Sequence, residues 1–164
     1  MQIQSNQRIL LVGIGTGLDI PFIPPHAEVA GIDMSVEMLS QARIKSLDRN
    51  ISLHEMNAEK LGFKKGSFDI VVLNLILSVV SDPRQVMQEV YGVLKPSGSI
   101  WILGKFIETK AGPLRKILSY ITRAIGGANL NLSLQNLIKD LPLVKNHEEN
   151  HFMANIIQLK VNEN

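Results

Sequence analysis

Short apolar runs of strand length recur along this chain, separated by segments with helical spacing. Ile9-Leu10-Leu11-Val12 is the first, brief and aliphatic enough for a buried strand. Ala27 to Ile32 is the second and ends on Asp33. Ser35 then stands as an N-cap before Met38, Leu39 and Ala42, with Ser46 and Leu47 near the helix end. Ile51 to Met56 alternates apolar and polar positions and reads as a half-buried strand. Phe68 to Leu73 is apolar on both faces except at Asp69, as a central strand covered by helices requires. Asp82-Pro83 opens a helix with a buried stripe of Val86, Val90 and Leu94, which Lys95-Pro96-Ser97-Gly98 stops. Ser99 to Phe106 is a fifth strand. After Pro113 a longer helix carries Leu114, Ile117, Leu118, Ile121 and Ile125 on one side and ends at Gly126-Gly127. Ser133 starts a short helix running to Lys139 and closed by Pro142. Leu143 to Asn146 and Phe152 to Val161 read as two strands joined by a polar turn. Strands alternating with helices predict an α/β, doubly wound sheet.

The chemistry concentrates after the first strand. Gly13-Ile14-Gly15-Thr16-Gly17 is a glycine-rich turn, and Asp33 lies 20 positions past Gly13, at the end of the second strand. Glycines there let a ligand approach the backbone, and the carboxylate accepts hydrogen bonds from ribose hydroxyls. A dinucleotide fingerprint would put a small residue at position 18, where this chain has Leu18. Pro21, Pro24 and Pro25 also spoil the helix on which a pyrophosphate would rest. A phosphate-free adenosine cofactor with a zwitterionic tail fits this loop better than a dinucleotide.

These residues resemble class I S-adenosylmethionine-dependent methyltransferases, the group with quinone-biosynthesis C-methyltransferases and bacterial phospholipid N-methyltransferases. Ile9 to Gly17 resembles the first motif of that family, and Gly31-Ile32-Asp33-Met34-Ser35 the second, followed by Met38-Leu39. Asn57-Ala58-Glu59-Lys60-Leu61 resembles the third, and Ser67 to Val72 the strand-four signature. Asp82-Pro83-Arg84 and Val93 to Gly98 resemble the segments before strand five. The resemblance implies a Rossmann-like, seven-stranded, mostly parallel sheet with a C-terminal antiparallel strand pair. It implies a single domain over 1–164 with a minimal N-terminal cap, since seven residues precede Arg8. The implied cofactor is S-adenosylmethionine, with Gly13, Gly15 and Gly17 admitting its methionine part and Asp33 holding the ribose. Met34, with Met38 beside it, packs on adenine; Asn57 and Ala58 bind the adenine edge. Asn74 lies where donor and acceptor meet, and Ser78 is a second candidate on the acceptor side. The implied reaction is methyl transfer to a small molecule or lipid headgroup by in-line displacement, with no acid–base residue assigned. Two departures stand out: Leu11 replaces the usual acid, for which Asp19 is a substitute, and Asn57 replaces the usual Asp. A non-catalytic relative and an NAD(P)-dependent oxidoreductase are the competing classes.

Composition narrows the field. The chain has 164 residues, 45% hydrophobic and 20% charged, within the range of one globular domain. It has no Cys, which excludes disulfides, thiolate metal sites and thiol catalysis. A net charge of +2 gives no reason to expect nucleic acid. Residues 1–7 do not read as a signal peptide, and the apolar run from Ile70 to Val80 falls short of the ~20 residues of a spanning helix. A cytoplasmic protein is therefore expected. Lys105, Lys110, Arg115, Lys116 and Arg123 suit either a solvated helix face, the favoured reading, or peripheral contact with anionic lipid. Homo-oligomerisation stays open. His147-Glu148-Glu149-Asn150-His151 matches H-E-x-x-H, but it sits between two strand-like runs and reads as a solvated hairpin turn, not a zinc site.

Overall fold

The computed structural model describes residues 3–4, 6–104, 106, 132–150 and 155–162. Seven strands form one sheet in the order β3-β2-β1-β4-β5-β7-β6. They are β1 (Arg8–Val12), β2 (Glu28–Asp33), β3 (Ile51–Glu55), β4 (Phe68–Asn74), β5 (Leu94–Gly104), β6 (Leu143–Asn150) and β7 (Asn155–Val161). β1 pairs in parallel with both β2 and β4; β2–β3 and β4–β5 are parallel too. β7 runs antiparallel between β5 and β6. The expected mostly parallel sheet with an antiparallel C-terminal pair is the one found.

Strand periodicity explains the layers. Leu10, Val12, Ala30, Ile32, Val71, Leu73, Ile100 and Ile102 point to one face. There they meet Val86, Met87, Val90 and Val93 of α2 (Pro83–Val93) and Leu137 of α3 (Leu134–Ile138). Ile9, Leu11, Val29 and Ile70 point to the other face and pack with Ile14, Ile20, Ile23 and with Leu39 and Ala42 of α1 (Val36–Lys45). Covering both faces is what makes the strands continuous apolar runs. The caps follow the local chemistry. Asp82 Oδ1 accepts from Arg84 N and Gln85 N at 3.0 Å each, and Pro83 takes the first helical position. Ser35 Oγ accepts from Met38 N at 3.2 Å and starts α1.

Several boundaries move. The proline-bearing segment after the glycine loop makes only a 3-10 turn, Ile20–Phe22, because its prolines remove amide donors. Leu47 is exposed, so the buried stripe of α1 is Leu39 and Ala42, with Ser46 beyond its end. β5 begins at Leu94, with a register shift where Leu94 faces Phe68 and Ser99 faces Ile70. β6 continues through Asn150, so His147-Glu148-Glu149-Asn150 is strand, not hairpin turn. Successive strand residues face opposite ways, so this segment cannot present H-E-x-x-H as a helix would; His151 lies outside the described residues. Among the described residues no group of His, Cys, Asp or Glu is arranged to hold a metal ion. The helix expected after Pro113 and the basic positions 105, 110, 115, 116 and 123 also lie outside the described residues. Among the described residues no helix is long and apolar enough to cross a membrane.

Candidate functional site

The carboxyl ends of β1, β2 and β4 converge where the strand order reverses, the place at which open α/β sheets leave a crevice. Gly13 N and Ile14 N both donate to Ile32 O at 2.9 Å, which folds the glycine loop back onto β2. Gly13, Gly15 and Gly17 have φ of +73°, +55° and +74°, backbone angles that L side chains avoid. Their surroundings differ. A Cβ on Gly17 would lie 2.7 Å from Ile20 Cδ1 and 3.1 Å from Ala42 Cα, so Gly17 is where the loop presses on α1. A Cβ on Gly13 would strike Ile76, while at Gly15 nothing lies within 4 Å. Gly15 alone of the three therefore faces open space.

Asp33 organises this loop. Its Oδ2 accepts from Gly15 N and its Oδ1 from Ser35 N, both at 2.9 Å. Each carboxylate oxygen has a second lone pair left for a ligand donor. Beside it lies a cavity of about 290 Å³ whose walls include Gly13, Asp33, Met34, Asn57 and Ala58. Five of the eight residues singled out in the sequence thus meet in one space. Gly15 and Gly17 shape the loop next to it. Sequence reasoning missed Ile32, Met56, Ile76, Val79, Val80 and Ser81, which also line this space. Met38 is not among the lining residues, and Met56 takes the place expected of it.

The third-motif segment is held from below. Asn57 Oδ1 accepts from Glu59 N at 2.8 Å, so Asn57 caps its own turn while facing the cavity. Glu59 Oε1 accepts from Asp82 N at 2.8 Å, and Glu89 Oε2 accepts from Leu61 N at 2.7 Å. These two carboxylates lash the segment to α2, a role the motif alone does not reveal.

Asn74 stands apart from the Asp33 cavity. It belongs to a second cavity of about 290 Å³, with Asp19, Val72, Trp101, Leu103 and Ile156. Asn74 Nδ2 donates to Asp19 Oδ2 at 2.8 Å, while its buried Oδ1 has no partner. The next residue, Leu75, has φ of +58°. An unmet buried acceptor costs about 1–3 kcal/mol and a left-handed leucine about 1–2 kcal/mol. Such costs on adjacent residues mark functional loops. Ser78 turns its hydroxyl onto Leu75 O at 2.8 Å and lines neither cavity. Leu11 is 5% exposed and embedded in the apolar layer with Ile9 and Ile14. Asp19 reaches Asn74.

At the base of the sheet, burial pushes the Asp69 carboxyl upward, but the Lys95 ammonium and the Arg8 N–H outweigh it and hold Asp69 below its ordinary value.

Comparison with known proteins bears on this arrangement. A family described as "Methyltransferase domain" matches residues 10–102, more than half of the chain. The chain belongs to this methyltransferase-domain family. The domain is 37% identical over 120 residues to a phosphatidylethanolamine N-methyltransferase of Cereibacter sphaeroides, covering 71% of this chain and 59% of that protein. It is 36% identical over 107 residues to a demethylmenaquinone methyltransferase of Listeria welshimeri, covering 61% of this chain and 45% of that protein. The chain thus spans roughly half the length of these curated relatives. A solved SAM-dependent methyltransferase from Methanosarcina mazei superimposes with a TM-score of 0.79 at 20% identity, covering 98% of this chain and 95% of that one. The likeness to the solved structure is one of fold. Membership of this methyltransferase-domain family agrees with the class I resemblance and with S-adenosylmethionine as cofactor, and gives no support to the nicotinamide alternative.

Proposed function

We propose that this domain binds S-adenosylmethionine in the Asp33 cavity and transfers its methyl group to a small-molecule or lipid-headgroup acceptor. The observation that carries the reading is the single space shared by Gly13, Asp33, Met34, Asn57 and Ala58 at the carboxyl ends of β1 to β3. The residues fit an adenosine. Asp33 offers two acceptor lone pairs at the strand end where ribose hydroxyls would lie. Met34 and Met56 offer flexible apolar surface for a purine. Asn57 and the Ala58 backbone offer hydrogen bonds for its edge. Gly15, with open space at its Cα, admits the amino-acid tail.

When bound, the sulfonium supplies an activated methyl group that passes to an acceptor lone pair as the carbon–sulfur bond breaks. The protein's task is then alignment and exclusion of water, which needs no acid–base residue. The two relatives are named for phosphatidylethanolamine and demethylmenaquinone, and an amphiphilic acceptor suits a cleft lined by the exposed Val79. Calorimetric titration tests the reading. S-adenosylhomocysteine and S-adenosylmethionine should bind and NADH should not; the absence of binding by both adenosyl ligands would defeat it.

A further inference from the structure

The second cavity shares no lining residue with the Asp33 cavity. It lies across the reversal point of the sheet: Asp19 follows β1 and Asn74 ends β4. Its polar end consists of Asp19 and Asn74, and its walls are Val72, Trp101, Leu103 and Ile156. The hydrogen-bonding capacity left over at that end is of one kind. Asp19 is acceptor-only, and Asn74 spends one amide hydrogen on Asp19 Oδ2 while its Oδ1 receives nothing. Among the described residues that line the cavity there is no Lys, Arg or His. A carboxylate and a buried amide oxygen side by side call for a group that brings positive charge and several N–H donors.

We infer that Asp19 and Asn74 together seat a primary ammonium group. Asp19 supplies the charge. Asn74 is the positioning residue: its amide holds the carboxylate in place, and a small rotation of the amide offers Oδ1 to the incoming N–H. Two carriers have this chemistry. One is the α-ammonium of the cofactor's amino-acid tail; this source rests on the S-adenosylmethionine reading. The other is an amine acceptor whose apolar body lies along Trp101 and Ile156. The ammonium seat itself does not depend on which carrier fills it.

Trp101 is the sole tryptophan of the chain and forms a wall of the cavity, so its fluorescence reports occupancy. Wild type, Asp19→Asn, Asp19→Glu and Asn74→Ala are titrated with S-adenosylhomocysteine, with 5′-methylthioadenosine, which lacks the amino-acid tail, and with n-octylamine against n-octanol. Thermal melts confirm that each variant is folded, and Asp19→Glu, which keeps the charge, recovers part of any loss. If the cofactor tail is the carrier, Asp19→Asn weakens S-adenosylhomocysteine at least tenfold and leaves 5′-methylthioadenosine unchanged. If an acceptor amine is the carrier, both nucleosides bind as in wild type and octylamine weakens at least tenfold while octanol does not change. Asn74→Ala follows the same pattern with a smaller loss, as a positioning residue should. The inference is overturned if Asp19→Asn binds every probe like wild type, or if it weakens the tailless nucleoside as much as the tailed one. Failure of wild type to bind either nucleoside would sink the cofactor reading alone, and the octylamine arm would still decide the seat.

Discussion

Gly15 and Gly17 are two positions apart and share a left-handed backbone, yet the structure predicts opposite consequences for the same substitution. Ala at either position incurs about 1–2 kcal/mol for a Cβ at positive φ, less about 0.4–1 kcal/mol returned by restricting the unfolded chain. At Gly15 no further cost arises, because no atom lies within 4 Å of the new methyl. Gly15→Ala should therefore destabilise by about 1 kcal/mol. At Gly17 the methyl would sit 3.1 Å from the Ala42 backbone, so α1 must retreat, adding about 1–3 kcal/mol of overpacking. Gly17→Ala should lose about 2–4 kcal/mol, or roughly 5–15 °C in melting temperature for a chain of this size. Binding should rank the other way. The Gly15 methyl enters the space assigned to the cofactor tail and should weaken S-adenosylhomocysteine at least tenfold, whereas the Gly17 methyl faces α1 and should leave the folded protein's affinity near wild type. Urea unfolding gives the first ranking and calorimetry the second. The assignment of the loop's two sides is refuted if Gly15→Ala binds normally while folded Gly17→Ala does not.

Leu11→Asp should destabilise by more than about 3 kcal/mol, because it buries an unpaired carboxylate among Ile9, Ile14 and Val72; a melting temperature equal to wild type would contradict the packing described. Asp69→Asn should cost about 1–2 kcal/mol at neutral pH through the lost charge-assisted bonds to Lys95 and Arg8 N. Because folding depresses the Asp69 pKa, that stabilisation is present above the ordinary carboxylate range and lost as pH falls through the lower folded value. The stability gap between wild type and Asp69→Asn should accordingly close below about pH 4, and a gap that widens there would reverse the sign argued. Leu75→Gly removes a left-handed leucine that is exposed and should leave stability unchanged or raise it by about 1 kcal/mol; a clear loss in urea unfolding would show that the Leu75 side chain is needed for packing.

The parts of this protein legible in sequence are those governed by local periodicity. β1, β2 and β4 are buried on both faces, so their apolar runs stand out, and the turn between β1 and β2 is marked by glycines whose positive φ no other residue supplies cheaply. Asp33 was legible for the same reason: it ends a buried strand. What escaped depends on direction in space. Asn74 ends β4 and Met34 follows β2, but Asn74 points to the Val72 and Trp101 face and so reaches Asp19 in a different cavity. Met38 and Met56 are equally plausible in the sequence, and only the path of the chain after β3 brings Met56 to the site. Only the first half of β6 is legible, and His147 to Asn150 reads as a turn because, at the edge of the sheet, most of its residues are exposed and the alternation that betrays a strand is missing. The lashing of the Asn57 segment by Glu59 and Glu89 joins residues that no motif spacing connects.

The central claim is that the glycine loop and Asp33 together grip an adenosyl ligand. Calorimetric titration of S-adenosylhomocysteine into wild type and Asp33→Ala tests it most directly. The account predicts measurable binding by wild type and a loss of at least tenfold in the variant, since both the ribose acceptor and the anchor of Gly15 N disappear. Equal affinities in the two proteins would contradict it.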